Sequence, residues 1–308
     1  MKEERIEFGL VLTQFSSRWD HVVSDARLAE EGGLDSLWLV DHLLMTRDPR
    51  SDILEGWTSL SAVAAMTKRV RIGHLVLSAS FRNPGLLGKM ASTLDVVSNG
   101  RLDLGLGAGW HEPEYLAFGY RFLSAGERRR YLEEYVDALR QLFEGGPVDF
   151  HGEYIDFKAA YCRPRPVQEG GPPIVVGASQ PLMLNFVGRK ADVWNCPSAA
   201  LPRFDELRGQ VLDAAGDRSV RTTIQVPVAV GRDRNEAKAA LEVGRSHMDW
   251  MGDIEAIGIT GVLDEAVEKA IAYSDRGVDG IIAVLPGSKG RPDFVEAYAE
   301  LARIVRAS

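Results

Sequence analysis

The stretch that decides the fold is RGVDGIIAVL, residues 276–285. It follows a run of helical periodicity over Asp264–Arg276, and Gly277 stands where helices often end, because glycine adopts left-handed backbone angles without a steric penalty. After the short connection Val278–Asp279, the apolar run Ile281–Leu285 predicts a strand that is buried on both faces. A helix that leads through a short loop into a buried strand is typical of a parallel α/β fold.

The same unit recurs along the chain. Short runs rich in Val, Ile and Leu alternate with longer stretches of helical period, which predicts parallel strands connected by helices. The predicted strands are Ile6–Leu12, Ser36–Val40, Val70–Leu77, Arg101–Leu106, Pro173–Gly177, Ala191–Asn195, Thr222–Val230 and Gly280–Leu285. The predicted helices are Asp20–Glu31, Thr58–Met66, Leu86–Val97, Gly126–Phe143, Gln180–Val187, Arg203–Ala215, Glu236–Met251, Asp264–Arg276 and Pro292–Arg306. Eight such units in 308 residues indicate a (β/α)8 TIM barrel, with residues 1–308 as a single domain.

One segment interrupts the alternation after the fourth barrel unit. Gly145–Gly171 contains two short runs with aromatic residues, Val148–Phe150 and Tyr154–Phe157, which His151–Glu153 joins. Two β-prone runs separated by a short connection that contains glycine predict a hairpin. We therefore expect a short hairpin-like insertion at this point of the barrel.

Composition and charge narrow the class of protein. The net charge is −8 and the longest basic run is Arg128–Arg130, so the basic surface of a nucleic-acid-binding protein is not expected. Cys162 and Cys196 form no CxxC motif, which favours neither a disulfide framework nor a thiolate zinc site. The N-terminal residues lack the pattern of a signal peptide, and no apolar run approaches the ~18 residues that span a bilayer. We expect a cytoplasmic protein that acts on a small molecule, without nucleic-acid or membrane partners.

In a TIM barrel the functional residues follow the C-terminal ends of the strands. Asp41-His42 follows the second predicted strand, where a histidine can exchange a proton near neutral pH and a neighbouring carboxylate can adjust its charge. The same two residues also fit a satisfied hydrogen-bonding pair that has no part in catalysis. The other strand-end residues are Thr13–Ser16, Ser78–Ser80, Gly107–His111, Gly177–Ser179 and Cys196–Ser198.

Two of these strand ends are rich in small residues. Gly105–Gly109 has the spacing of a dinucleotide-binding motif, but Trp110 stands where GxGxxG requires glycine, which disfavours a Rossmann fold. This run fits either a planar ligand close to the backbone or tight packing at the barrel rim. Gly177–Ser179 precedes a helix, so its amides, hydroxyl and positive helix end suit either a phosphate group or an ordinary serine N-cap.

Other catalytic chemistries find little support in the sequence. No lysine falls on a predicted barrel strand, whereas a Schiff-base aldolase needs one there. The six histidines show neither HxH nor HExxH spacing. Asp41, His42 and His111 could meet in space, but without a ligand motif we expect no metal site.

The chain resembles a known family, and the resemblance is densest in its second quarter. The residues that carry it are Arg71–Gly73, Arg82–Pro84, Lys89–Asp95, Ser98–Leu102, Gly105–Tyr115 and Phe118-Gly119, with Leu37–His42, the Gly177 segment and Ala191–Asn195 as further matches. They closely resemble the luciferase-like monooxygenase superfamily, and most of all its branch that uses coenzyme F420, an 8-hydroxy-5-deazaflavin. The resemblance implies a TIM barrel, usually a homodimer, that binds its flavin or deazaflavin at the C-terminal mouth.

Site residues are implied by the same resemblance, residue by residue. Leu75-Val76 matches a position where the family often has a non-prolyl cis peptide bond behind the isoalloxazine ring. The stretch Leu77–Ser80 lacks the threonine that is commonest in the F420 branch. The implied catalytic residues are His42 and Asp41, and the implied cofactor-binding residues are Leu75, Val76, Leu77, Gly107, Gly109, Trp110, Gly177, Ala178 and Ser179, the last three as a phosphate-binding loop.

The identity of the cofactor decides the reaction class. A deazaflavin carries hydride and does not activate oxygen, whereas reduced FMN with O2 supports a monooxygenase. The resemblance favours coenzyme F420 and hydride transfer between the deazaflavin and a small organic substrate, with His42 exchanging the accompanying proton. An FMN-dependent luciferase-like monooxygenase and a non-catalytic flavin-binding protein are the alternatives, because a fold alone does not establish turnover.

Overall fold

The computed structural model describes residues 5–45, 48–287 and 291–308. The strands in these ranges are β1 (Glu7–Val11), β2 (Ser36–Leu39), β3 (Arg71–His74), β4 (Leu77–Ser78), β5 (Leu102–Gly107), β6 (Val148–His151), β7 (Asp156–Ala160), β8 (Ile174–Gly177), β9 (Val193–Cys196), β10 (Arg221–Gly231), β11 (Ile259–Val262) and β12 (Gly280–Val284). The helices are α1 (Trp19–Glu31), α2 (Gly56–Met66), α3 (Pro84–Ser98), α4 (Glu112–Ala117), α5 (Ala125–Phe143), α6 (Pro181–Lys190), α7 (Phe204–Ala215), α8 (Arg234–His247), α9 (Ile254–Ile257), α10 (Leu263–Asp275) and α11 (Pro292–Ala307).

Eight of the described strands close into a parallel barrel. Their order is β1, β2, β3, β5, β8, β9, β10 and β12, and β12 pairs with β1 again, so that Phe8 lies beside Ile281. The buried hydroxyl of Tyr298, on α11, lies 3.2 Å from the carbonyl oxygen of Gly9 and 3.1 Å from that of Ile281. One O–H is thus shared between the first and last barrel strands. The barrel confirms the (β/α)8 architecture that the strand–helix alternation predicts.

Local sequence explains where the flanking helices begin and end. At the start of α3 the Asn83 side chain accepts hydrogen bonds from the backbone N–H groups of Gly85 and Leu86, and Pro84 occupies the first helical turn. The same helix ends at Asn99, which has a left-handed φ of 57°. In the described ranges no helix is both long and apolar enough to cross a membrane.

The third predicted strand, Val70–Leu77, is wrong as a continuous element. β3 ends at His74, the Leu75-Val76 peptide bond is cis, and the chain resumes as β4, which pairs with β5 at Leu77–Leu106. The chain between β3 and β4 lies so close to β5 that a side chain at Gly105 would overlap the carbonyl oxygen of His74. The cis bond implied by the family resemblance is therefore present, and it divides the strand at the barrel mouth.

The remaining differences concern short elements. The hairpin insertion is confirmed, since β6 and β7 pair antiparallel within Gly145–Gly171. The predicted helix Glu236–Met251 is too long, because α8 ends at His247 and a 3-10 turn follows over Asp249–Met251. Helix α4 and strand β11 were not predicted from the sequence. Among the described strands, β11 pairs only with β10.

Candidate active site

A cavity of about 150 Å³ opens at the C-terminal mouth of the barrel. Its walls come from the ends of β2, β4 and β5, from the cis-peptide segment and from α4. The cavity brings together eight of the site residues that the sequence predicts: Asp41, His42, Leu75, Val76, Leu77, Gly107, Gly109 and Trp110. The predicted phosphate loop Gly177–Ser179 is not among the lining residues and lies at the neighbouring end of β8.

Glu114, which the sequence analysis did not single out, holds His42 in place. The Nδ1 atom of His42 lies 3.1 Å from a carboxylate oxygen of Glu114. The other oxygen accepts hydrogen bonds from the backbone N–H groups of Leu43 and Leu44. Because an ionised carboxylate only accepts, Nδ1 is the protonated nitrogen and Nε2 is left for a ligand. Asp41, which the sequence predicts to adjust the charge of His42, makes no hydrogen bond to the ring among the described residues; the carboxylate in contact with the ring is that of Glu114.

The charge state of Glu114 suits this role. Its side chain is only 3% exposed, and burial acts to raise the pKa of the Glu114 carboxyl. The hydrogen bonds from His42 and from the two backbone amides outweigh burial and hold the pKa below its ordinary value. Glu114 therefore stays ionised at neutral pH and accepts the hydrogen bond from Nδ1 of His42.

Asp41 is turned away from His42 and into an ion-pair network. Its Oδ2 atom accepts hydrogen bonds of 2.8 Å from the backbone N–H of Ser78 and from the Arg82 guanidinium. Arg82 also donates to Glu55 over 2.8 Å, and Glu55 caps the N-terminus of α2. Burial raises the pKa of Asp41, although the bond from Arg82 opposes this effect. The buried Oδ1 atom of Asp41 has no hydrogen-bond partner among the described residues.

Three rings surround the imidazole of His42. The ring of Trp110 lies 5.6 Å away and nearly perpendicular to it, that of His111 lies at 6.3 Å, and that of Phe15 lies at 6.4 Å. Trp110 is 65% exposed, so it forms the outer rim of the cavity rather than its floor. We call Phe15, Trp110 and His111 the aromatic rim.

Glycines make room for the cis-peptide segment and its neighbours. A Cβ atom at Gly107 would lie 2.6 Å from the side chain of Val76, and one at Gly177 would lie 3.9 Å from it. Gly109 has a φ of +77°, and a side chain there would overlap the hydroxyl of Tyr115, which is hydrogen-bonded to Ser78. The Val76 side chain thus projects between the ends of β5 and β8, and the surface around it is backbone.

The loop before α6 is free of side-chain caps. The N-cap residue of α6 is Gln180, and no side chain accepts a hydrogen bond from the first turn. The alternative that Ser179 is an ordinary N-cap is therefore wrong. Pro181 has no N–H, and the N–H groups of Met183 and Leu184 donate to the carbonyl of Gln180, which leaves the N–H of Leu182 for an acceptor from outside the helix.

The described part of the chain holds neither a cluster of metal-ligating side chains nor an exposed cysteine. No group of three or more His, Cys, Asp or Glu side chains there is arranged to hold a metal ion. Cys162 and Cys196 are buried free thiols, and burial raises the pKa of Cys196 to about 12.

Fold and site together define a TIM-barrel protein whose cavity, at the C-terminal mouth, is built around a cis peptide bond and a His–Glu pair. The family described as luciferase-like monooxygenase matches residues 6–286, and the chain belongs to this family. An F420-dependent glucose-6-phosphate dehydrogenase of Amycolatopsis mediterranei is 29% identical and aligns with 89% of this chain and 90% of its own length.

Two solved structures support the fold. The monooxygenase RslO1 from Streptomyces bottropensis superposes with a TM-score of 0.79 at 23% identity, covering 98% of each chain. An F420-dependent secondary alcohol dehydrogenase, solved with an F420–acetone adduct, superposes with a TM-score of 0.80 at 18% identity, covering 98% of this chain and 99% of its own. The barrel is thus shared by proteins with different redox chemistries.

Proposed function

We propose that the chain is a coenzyme F420-dependent oxidoreductase that transfers a hydride between the deazaflavin and a small organic substrate. The observation that carries the proposal is the position of the His42–Glu114 pair beside the cavity. The pair can exchange a proton, and the cavity has space for a flat ring. Relatives that cover most of this chain are named F420-dependent dehydrogenases, which supports a deazaflavin rather than FMN.

The residues of the cavity fit such a ring. The segment Leu75–Leu77 would lie behind it, and Gly107 and Gly109 would hold Val76 and Tyr115 close to the end of β5, because they leave room for those side chains. The unpartnered Oδ1 atom of Asp41 is a buried polar atom that a ring N–H or O–H group would satisfy. A volume of about 150 Å³ is close to that of one benzene-sized ring, so a tricyclic cofactor would fill the cavity and extend beyond it.

The phosphate part of the cofactor would bind at Gly177–Ser179. Gly177 is next to Val76, so this loop continues the surface that the ring would cover. The first turn of α6 adds the backbone N–H of Leu182 and the positive end of the helix dipole.

The chain's own part in the reaction is to position groups and to move one proton. When bound, a reduced deazaflavin supplies a hydride, and the oxidised form accepts one. His42 exchanges the accompanying proton at Nε2, because Nδ1 is committed to Glu114. Glu114 fixes the orientation and the tautomer of the imidazole, as a carboxylate behind a catalytic histidine does.

The test is a titration of the purified apoprotein with oxidised and reduced coenzyme F420 and with FMN, followed by fluorescence. We expect F420 to bind with a micromolar or lower Kd, and FMN at least about tenfold more weakly, a difference of roughly 1.4 kcal/mol. Tight FMN binding together with O2 consumption would instead identify an FMN-dependent monooxygenase. Tight F420 binding without turnover of any hydride acceptor would leave a non-catalytic binding protein.

A variant pair locates the cofactor. Gly177→Val should weaken F420 binding at least about tenfold, because the branched side chain blocks close approach to the backbone. Gly209→Val is the matched control, since Gly209 lies in α7 and a side chain there meets open space. Equal Kd values for both folded variants would move the phosphate site elsewhere.

A further inference from the structure

The aromatic rim, Phe15, Trp110 and His111, stands between the reacting histidine and solvent. The ring of Phe15 lies beside the imidazole of His42, and the ring of Trp110 packs edge-to-face against the same imidazole. Isolated exposed apolar side chains are common and need no explanation. Trp110 differs because it is 65% exposed and also lines the cavity, so a molecule bound at the mouth would contact it.

Backbone and side-chain bonds hold the Phe15 side of this rim. Phe15 forms an isolated antiparallel bridge with Ile53, and the N–H of Ser16 donates to the carbonyl of Asp52 over 2.7 Å. The buried Gln14 side chain donates to the carbonyl of Leu54 over 2.8 Å and accepts from the N–H of Val40 over 2.6 Å. The loop after β1 is thus fastened to the loop before α2 and to the end of β2, and the aromatic wall is preorganised.

The charges at the cavity favour an uncharged occupant. Two carboxylates, Asp41 and Glu114, line it. An anionic group would gain little, because Arg82 is committed to Asp41 and no arginine or lysine is among the described residues that line the cavity. A cation would also gain little, because Asp41 is already paired with Arg82 and Glu114 already accepts from His42 and two backbone amides.

We propose that the substrate is an uncharged aromatic carbonyl compound, or the corresponding alcohol, whose ring packs on Trp110 while its oxygen faces Nε2 of His42. This inference rests on the proposed function and adds the substrate class. Flat rings stack on an exposed indole face, and a carbonyl oxygen accepts the hydrogen bond that Nε2 of a protonated imidazole offers. The carbonyl carbon gains a hydride and its oxygen gains the proton from His42, giving an alcohol; a bound reduced deazaflavin would supply that hydride, which carries both electrons. His42 then regains a proton from solvent.

Binding of small probes tests the substrate class without turnover. Acetophenone, benzoate, benzyltrimethylammonium and acetone are titrated into the protein saturated with oxidised F420, and in parallel into the apoprotein, with ligand-observed NMR as the readout. We expect acetophenone to bind at least about tenfold more tightly than each of the other three. Tightest binding of benzoate, of the ammonium ion or of acetone overturns the proposal. Failure of F420 to bind would refute the proposed function, while the apoprotein titration would still report on the aromatic site.

Variants of Trp110 test the residue itself. Trp110→Ala should weaken acetophenone binding at least about tenfold, and Trp110→Phe should stay within about threefold of the wild type. Trp250→Ala is the matched control, because Trp250 is also exposed and does not line the cavity. Because Trp110 also lines the cavity that the cofactor would fill, the loss of acetophenone affinity in Trp110→Ala should exceed the loss of F420 affinity at least about threefold. An equal loss of F420 binding would assign Trp110 to the cofactor wall instead and overturn the proposal.

Discussion

The two ends of the barrel use charged residues in opposite ways. At the N-terminal end, Arg71 makes two bonds to Asp103, at 2.6 and 2.8 Å, and Arg221 pairs with Glu7 at 2.7 Å. The cavity there is about 20 Å³, room for roughly one water molecule. At the C-terminal mouth the cavity is about 150 Å³, and a buried oxygen of Asp41 has no partner.

Arg101 shows most clearly what the N-terminal end does. Its guanidinium donates to the carbonyl oxygens of Ala64, Thr67, Val70 and Ser98 over 2.7–3.0 Å, and so ties the ends of α2 and α3 to the start of β3. Every polar group in this set is satisfied from within the chain, whereas the mouth keeps Nε2 of His42 and Oδ1 of Asp41 for a ligand. The comparison indicates that one end of the barrel serves stability and the other serves binding and chemistry.

The largest effect should come from the mouth. His42→Ala should lower turnover about 10²- to 10⁴-fold, the usual range for a lost general acid or base, and should lower the melting temperature only modestly, because Glu114 loses one of its three hydrogen-bond donors. Single-turnover oxidation of the bound cofactor and a thermal melt measure both quantities on one sample. Normal turnover with a lowered melting temperature would make His42 a structural residue and remove the contrast between the two ends.

At the opposite end the pattern should reverse. Arg101→Met should destabilise the protein by about 2–4 kcal/mol, because several carbonyl oxygens lose their donor. Turnover per folded molecule should stay close to that of the wild type, since Arg101 is remote from the mouth. Urea unfolding and the same single-turnover assay give the two values, and a large loss of turnover in the folded variant would show that the ends are coupled.

His74 lies beneath the mouth, and its burial makes the free energy of unfolding of the protein depend on pH. Burial lowers the pKa of His74 to about 3, and its ring stacks on Trp57 at 5.3 Å. The contribution of a neutral His74 is complete above the unfolded-state pKa of about 6.5 and is lost as the pH falls towards 3. We expect a loss of about 2 kcal/mol between pH 7 and pH 5 from this residue. His74→Phe, which keeps a flat ring and takes no proton, should show a correspondingly flatter profile in urea unfolding, and an identical profile would contradict the assignment.

The smallest effect should come from Glu114, the hydrogen-bond partner of His42. Glu114→Gln should lower turnover roughly tenfold, because a neutral amide fixes the imidazole less firmly than a carboxylate does. Nitrogen-15 NMR of the histidine side chain should show Nδ1–H in the wild type and a mixture of tautomers in the variant. Full activity with an unchanged tautomer would mean that Glu114 serves only the backbone of Leu43 and Leu44.

The sequence predicts the repeated strand–helix units of the barrel better than the individual side-chain contacts of the site. Most barrel strands are Val-, Ile- or Leu-rich runs that are buried on both faces, so the apolar runs of the sequence indicate where they lie. Glu114 lies on a six-residue helix, too short for a periodic signal, and nothing in its neighbourhood marks one glutamate as buried and the next as exposed. The partners of Asp41 were missed for a similar reason, since Arg82 reaches it across 41 residues of chain. Such pairings arise from the tertiary fold.

The first and last barrel strands, which the Tyr298 hydroxyl joins, are synthesised at very different times. Tyr298 and Gly9 are 289 residues apart in the chain, so β1 is made long before its β12 partner. At about 5–20 residues per second, the outer edge of β1 waits roughly 15–60 s during synthesis before its neighbour exists. An open strand edge invites pairing with other chains, so the ribosome-bound intermediate is the state in which this barrel is most exposed to self-association.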